Sequence, residues 1–122
     1  MSTALGASLP FSGTTVLITG DMSMQYDIAA LSSALLSPRL KIVVINNGGG
    51  GIFRKISATR SLIETEQYLT GDIRLPLKEL AAGYGLEYFR ADSPAALSQA
   101  LTGFVGEQRR PAILEVVCGS TE

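Results

Sequence analysis

The 122-residue sequence contains no histidine. That absence removes the Ser-His-Asp triad, the Cys-His dyad and every His-based zinc site from this chain. Any chemistry it supports must draw on carboxylates, amides, backbone groups or a cofactor. Cysteine occurs once, at Cys118, so no disulfide can close within the chain, and a cytoplasmic setting is expected. Charge is sparse and balanced: 17% of residues are charged, the net charge is −1, and no basic block exceeds Arg109-Arg110. Neither a nucleic-acid surface nor a polybasic membrane patch is expected from that pattern. No apolar run approaches the roughly 20 residues a membrane-spanning helix needs. The opening "MSTALGASLPFSG" has no basic stretch leading into a long apolar one, so no secretory leader is read there.

What is present suits one α/β domain over residues 1–122, with 46% hydrophobic residues to supply a core. The runs "TTVLIT" (14–19), "KIVVIN" (41–46), "LEYFR" (86–90) and "AILEVVC" (112–118) are short, apolar and rich in β-branched residues. They read as strands buried on both faces. Helical patterns lie between them. In "YDIAALSSALL" the spacing of Ile28, Leu31 and Leu35 predicts one helix ending before Pro38. A short helix starts at Pro76 and closes at Gly83 or Gly85. Ser93-Pro94 reads as N-cap and first residue of a helix that turns Leu97, Leu101 and Phe104 inward and stops at Gly106. Strands alternating with helices predict an open parallel sheet in three layers, with helices on both faces. Residues 54–75 show little periodicity; "SLIETEQYL" suits a short amphipathic helix and "TGDIR" a loop. So long an irregular segment in a compact domain points to function.

Ligands of open α/β sheets sit at the carboxyl ends of the strands. Two segments fall there, "GDMS" after the first strand and "NNGGGG" after the second. The first turn offers only Gly20, so a G-x-G-x-x-G fingerprint fails, and no Gly-Lys pair exists for a P-loop. A different arrangement fits. Asp21 supplies a carboxylate and Asn47 an amide oxygen, each just beyond a strand. Neighbouring strands lie about 4.8 Å apart, so both oxygens can converge on one Mg²⁺ ion. The carbonyl of Gly49 adds a third ligand, and a helix beginning near Met24 favours an anion there. The glycines then let backbone wrap a metal-bound diphosphate. The plainer alternative stays open at this point: Asp after a strand is commonly a cap, and Asn-Gly a turn.

"GDMS" followed by "NN" resembles the thiamine-diphosphate signature Gly-Asp-Gly…Asn-Asn, with Met22 in the third position and a slightly short spacing. The longer pattern "GDMSMQYDIAAL…IVVINNGGGGIF…LAAGYGLEYFRA…PAILEVV" resembles the C-terminal cofactor domain of 2-succinyl-5-enolpyruvyl-6-hydroxy-3-cyclohexene-1-carboxylate (SEPHCHC) synthases of menaquinone biosynthesis. The resemblance covers nearly the whole chain. It implies thiamine diphosphate as cofactor, with Mg²⁺ (or Mn²⁺) held by Asp21, Asn47 and the Gly49 carbonyl. It further implies diphosphate contacts from Gly20, the Met22 backbone and Ser23. Ile52, Phe53 and Ile56 fall where the family places apolar side chains beside cofactor and substrate. Asp27 also matches, yet a carboxylate in the first turn of a helix needs no further role; Glu64 and Glu66 read as a solvated face.

In that family the activity is decarboxylation of 2-oxoglutarate and addition of the succinyl unit to isochorismate. The family enzyme is several times longer, so these residues are expected to be a cofactor-domain fragment, catalytically silent alone, with no catalytic residue of its own. Absence of the upstream strand should leave "TTVLIT" at an open edge, so a homo-oligomer is expected. The expected strand order is 1-2-4-3. Two alternatives are weighed: the cofactor domain of an acetolactate-synthase or 2-oxoacid-decarboxylase type, and a non-catalytic α/β module. The former types usually carry a bulky residue soon after Asn-Asn, where this chain has four glycines.

Overall fold

The four apolar runs form one parallel sheet in a computed structural model that describes residues 1–71 and 75–119. The strands are β1 (Thr15–Gly20), β2 (Leu40–Asn46), β3 (Glu87–Ala91) and β4 (Ala112–Val117), in the order β1-β2-β4-β3. This is the expected topology, with the last strand inserted between the second and third.

Strand side chains alternate between faces, and the two central strands bury both. On one face Leu40, Ile42 and Val44 of β2 join Ile113 of β4. Over them lie α1 (Ser2–Ser8), α2 (Asp21–Tyr26), a 3₁₀ turn (Ile28–Ser32) and α4 (Leu77–Gly83), which contribute Leu5, Met24, Leu31, Leu77 and Ala81. Each such Leu, Ile, Val or Met side chain, fully buried, adds about 1.5–3 kcal/mol. On the other face α5 (Pro94–Val105) packs Phe104 onto Ala112, Leu114 and Ala91, with Phe89 edge-on to Phe104 at 5.9 Å between ring centres. Lys41 is buried there as well; its Nζ donates to the Gly106 carbonyl at 3.3 Å, and burial lowers its pKa.

Helix ends follow their sequence signals. Ser93 caps α5 by accepting from Ala96 N–H at 3.2 Å, with Pro94 in the first turn. At the end of α4, Leu86 N–H donates to the Ala81 carbonyl at 2.8 Å and Gly85 N–H to Ala82 at 3.2 Å. Gly85 occupies the left-handed position this closure requires, with φ +72°.

Several expectations need correction. The helix expected over "YDIAALSSALL" is instead α2, which starts at Asp21 and stops at Tyr26, followed by the 3₁₀ turn. Asp27, at φ −130°, ends the helix, and its carboxylate accepts from Ser2 N–H at 2.6 Å and Ser2 Oγ at 2.7 Å. Asp27 therefore anchors α1 rather than sitting in a first helical turn. Leu101 does not face inward but is exposed, and Leu35, expected on the same helix face as Leu31, is exposed as well. The segment "SLIETEQYL", expected as a short amphipathic helix, is helical in its second half as a π-helical stretch, Thr65–Thr70, and α3 (Ile52–Lys55) precedes it. There Glu66 forms a bidentate pair with Arg54, both contacts at 2.9 Å, so this exposed carboxylate ties α3 to the π-helical stretch. Of the predicted loop "TGDIR", residues 72–74 lie outside the described residues.

Among the described residues the first strand is an edge, as expected, and one of its faces is uncovered. Val16 and Ile18 are 54% and 69% exposed, because α5 covers only the β3–β4 half of that face. Among the described residues no helix is long and apolar enough to cross a membrane.

Candidate functional site

Gly20 pairs with Ile45, so the chain leaves β1 level with the Asn46-Asn47 end of β2. Asp21 follows at once and is buried. Its Oδ1 accepts from Met22 N–H at 2.7 Å, and its Oδ2 accepts from Gly49 N–H at 2.9 Å. One carboxylate thus starts α2 and pins the glycine run to the tip of the neighbouring strand. Each of its oxygens keeps a second lone-pair direction for a further partner.

Around this link is a pocket of about 420 Å³ lined by Gly20, Asp21, Met22, Ser23, Tyr26, Ile45, Asn47, Gly49, Gly50, Gly51, Ile52 and Phe53. It brings together the sequence-predicted Gly20, Asp21, Met22, Ser23, Asn47, Gly49, Ile52 and Phe53. Ile56 is not among its walls; it follows α3 and is partly exposed. The helix expected to begin near Met24 begins three residues earlier and offers its first turn to the pocket.

The glycines have separate roles. Gly48 turns at φ +78° and Gly49 at φ +138°, conformations that side chains resist. A Cβ on Gly49 would strike the carbonyls of Thr70 and Gly71, and one on Gly50 would lie 2.6 Å from the Leu69 carbonyl. Gly50 N–H donates to the Thr70 carbonyl at 2.7 Å. The run therefore seats against the end of the π-helical stretch as well as facing the pocket, a contact no sequence signal announced. At Gly20, by contrast, a Cβ would meet nothing within 4 Å, so the missing side chain leaves the pocket open.

The donor set suits a hard cation beside an anion. Among the described residues no group of three or more His, Cys, Asp or Glu side chains could hold a metal. An ion here would be held by one carboxylate, an amide oxygen and backbone carbonyls, with the remainder from ligand and water, the pattern Mg²⁺ favours. The Gly49 carbonyl already accepts from Gly51 N–H at 2.9 Å, and a carbonyl oxygen has a second lone pair.

Sequence reading missed Tyr26, Ile45, Gly50 and Gly51 as walls, and missed a group behind them. Asn46 Nδ2 donates to Glu115 Oε1 at 2.5 Å, and Tyr88 O–H donates to Glu115 Oε2. Burial, then the bond to Glu115, raises the Tyr88 pKa well above the usual phenol value, so its hydroxyl remains a donor. The lone carboxylate inside the apolar strand "AILEVVC" was the available signal.

A parallel sheet with an acidic turn after one strand and Asn-Asn-Gly after the next defines a cofactor-binding domain of thiamine enzymes. The family model "Thiamine pyrophosphate enzyme, C-terminal TPP binding domain" matches residues 1–116, and the chain belongs to that family. Its relatives include three SEPHCHC synthases. The chain is 43% identical to that of Porphyromonas gingivalis over 94% of this chain and 20% of the relative. For Flavobacterium johnsoniae the identity is 37%, over 94% and 21%. For Cytophaga hutchinsonii it is 34%, over 100% and 22%. The chain spans about a fifth of the length of these curated relatives.

Proposed function

We propose that the chain is the diphosphate- and metal-holding domain of a SEPHCHC synthase, which decarboxylates 2-oxoglutarate and adds the succinyl unit to isochorismate. The observation that carries this reading is the Asp21–Gly49 bond between two strand tips, with Asn47 on the wall of the same pocket. Thiamine diphosphate, when bound, supplies the carbanion chemistry, and protein groups supply orientation and electrostatics. Asp21, the Asn47 side-chain oxygen and the Gly49 carbonyl hold Mg²⁺, with Mn²⁺ able to replace it. Gly20, the Met22 backbone and Ser23 take the diphosphate. Ile52 packs on the cofactor, and Phe53 lines the substrate side. Ile56 is left out of that wall because it does not line the pocket.

None of these residues moves a proton or attacks a substrate, so the 122-residue chain alone is expected to form no product. The full-length protein acts as a cytoplasmic homo-oligomer in this reading. The test is product formation by the full-length protein with thiamine diphosphate and Mg²⁺. Consumption of 2-oxoglutarate coupled to isochorismate supports the assignment. Turnover of pyruvate to acetolactate, with 2-oxoglutarate untouched, would place the domain in the acetolactate-synthase type instead.

A further inference from the structure

Glu115 is buried in β4, where its apolar neighbours would suggest a valine or isoleucine. Arg90 stands directly across on β3, yet its guanidinium turns away to Asp92 at 2.6 Å. The Glu115 carboxylate instead takes two neutral donors, Asn46 Nδ2 and Tyr88 O–H. A buried carboxylate held by neutral donors is less stabilising than an apolar residue of similar volume. Its presence calls for a role beyond packing.

That role is direction. A carboxylate only accepts, so the Asn46 amide must turn its NH₂ toward Glu115. Its Oδ1 is thereby aimed the other way, where it accepts from Gly48 N–H at 3.2 Å. Gly48 opens the turn, at φ +78°, that carries Asn47 and Gly49 to the pocket. Tyr88, two residues before the partner of Glu115 on β3, holds the carboxylate from the far side. The line Tyr88, Glu115, Asn46, Gly48 thus runs across three strands and ends at the glycine loop.

We infer that Glu115 is a positioning residue, which acts through Asn46 to set the geometry of the ion-holding loop over residues 47–51. The inference rests on the metal- and diphosphate-holding reading above. Gln at position 115 can present either an oxygen or an NH₂, so the orientation of Asn46 is no longer unique while volume is kept.

The test uses the full-length protein with Glu115→Gln, Tyr88→Phe, Asn46→Ala, Asp21→Ala and a Glu115→Gln/Asn46→Ala double variant. Deuterium uptake over residues 46–53 is followed in the apoprotein, and Mn²⁺ is titrated at saturating thiamine diphosphate. Glu115→Gln is expected to raise uptake in that segment and weaken Mn²⁺ roughly tenfold or more, the effect typical of groups that orient metal ligands. Higher Mn²⁺ should restore occupancy, and the double variant should bind no more weakly than the poorer single one. Should Glu115→Gln fail to fold, Tyr88→Phe, which removes one hydroxyl and keeps the ring, carries the same test with a smaller shift. Wild-type uptake and affinity in the folded Glu115 or Tyr88 variant, while Asp21→Ala loses the ion, would overturn the positioning role alone. A wild-type protein that takes up no Mn²⁺ with thiamine diphosphate would overturn the underlying reading and this role with it.

Discussion

Gly49 N–H donates to Asp21 Oδ2 at 2.9 Å, joining residues 28 positions apart across two strand tips. Both Asp21 oxygens serve backbone donors. Asp21→Asn keeps one acceptor oxygen, so the Met22 or the Gly49 N–H loses its partner. The expected cost is about 1–3 kcal/mol of stability, together with weaker ion binding. Urea denaturation of the metal-free protein checks the first part without reference to the cofactor. A midpoint equal to wild type would show that neither bond matters to the fold.

Gly50 faces the Leu69 carbonyl so closely that a methyl group has no room. Gly50→Ala must push the glycine run away from the π-helical stretch. A loss of about 1–3 kcal/mol is expected, the usual range for overpacking. Gly83→Ala is the control, since a Cβ there meets nothing within 4 Å. Equal melting temperatures for the two variants would contradict the close seating of the loop.

Asp27 gives a pH signature. Hydrogen bonds from Ser2, first from its backbone N–H and then from its hydroxyl, lower the Asp27 pKa from 3.8 to about 2. A lowered carboxyl pKa contributes stability that is complete above the unfolded value and lost as pH falls through the folded one. The anchoring of α1 should therefore hold at pH 4 and weaken between about pH 4 and 2. An NMR titration of the Asp27 carboxyl carbon should show a midpoint near 2; a midpoint near 3.8 would mean that α1 is not held by this residue.

The bare face and open edge of β1 predict association. Val16 and Ile18 expose apolar surface beside a strand edge that no other strand covers among the described residues. The 122-residue chain is expected to self-associate at high concentration, and Ile18→Lys to suppress it. Light scattering decides the matter, and a strictly monomeric wild-type species would count against it.

Residues whose role is set by local chemistry were legible in sequence. The strand runs around Val43 and Leu114, the cap at Ser93 and the close of α4 at Gly83 or Gly85 all depend on near neighbours or on burial alone. The pairing of Asp21 with the glycine loop was also within reach, because strand adjacency places both at one sheet end. Features set by distant contacts were not legible. Asp27 bonds to Ser2, far away in sequence. Gly50 must be glycine because of Leu69, and Glu115 matters because Asn46 and Tyr88 reach it from two other strands. The π-helical stretch was hidden for a related reason: Thr65 and Thr70 are buried with hydroxyls bonded to the carbonyls of Thr59 and Glu66, which an apolar periodicity cannot show.

Calorimetry of the full-length protein with thiamine diphosphate, with and without Mg²⁺, bears most directly on the proposed ion between Asp21 and Asn47. Tight, Mg²⁺-dependent binding of the cofactor is expected for wild type, with loss in both Asp21→Ala and Asn47→Ala. Equally tight binding without a divalent ion, or in either variant, would contradict it.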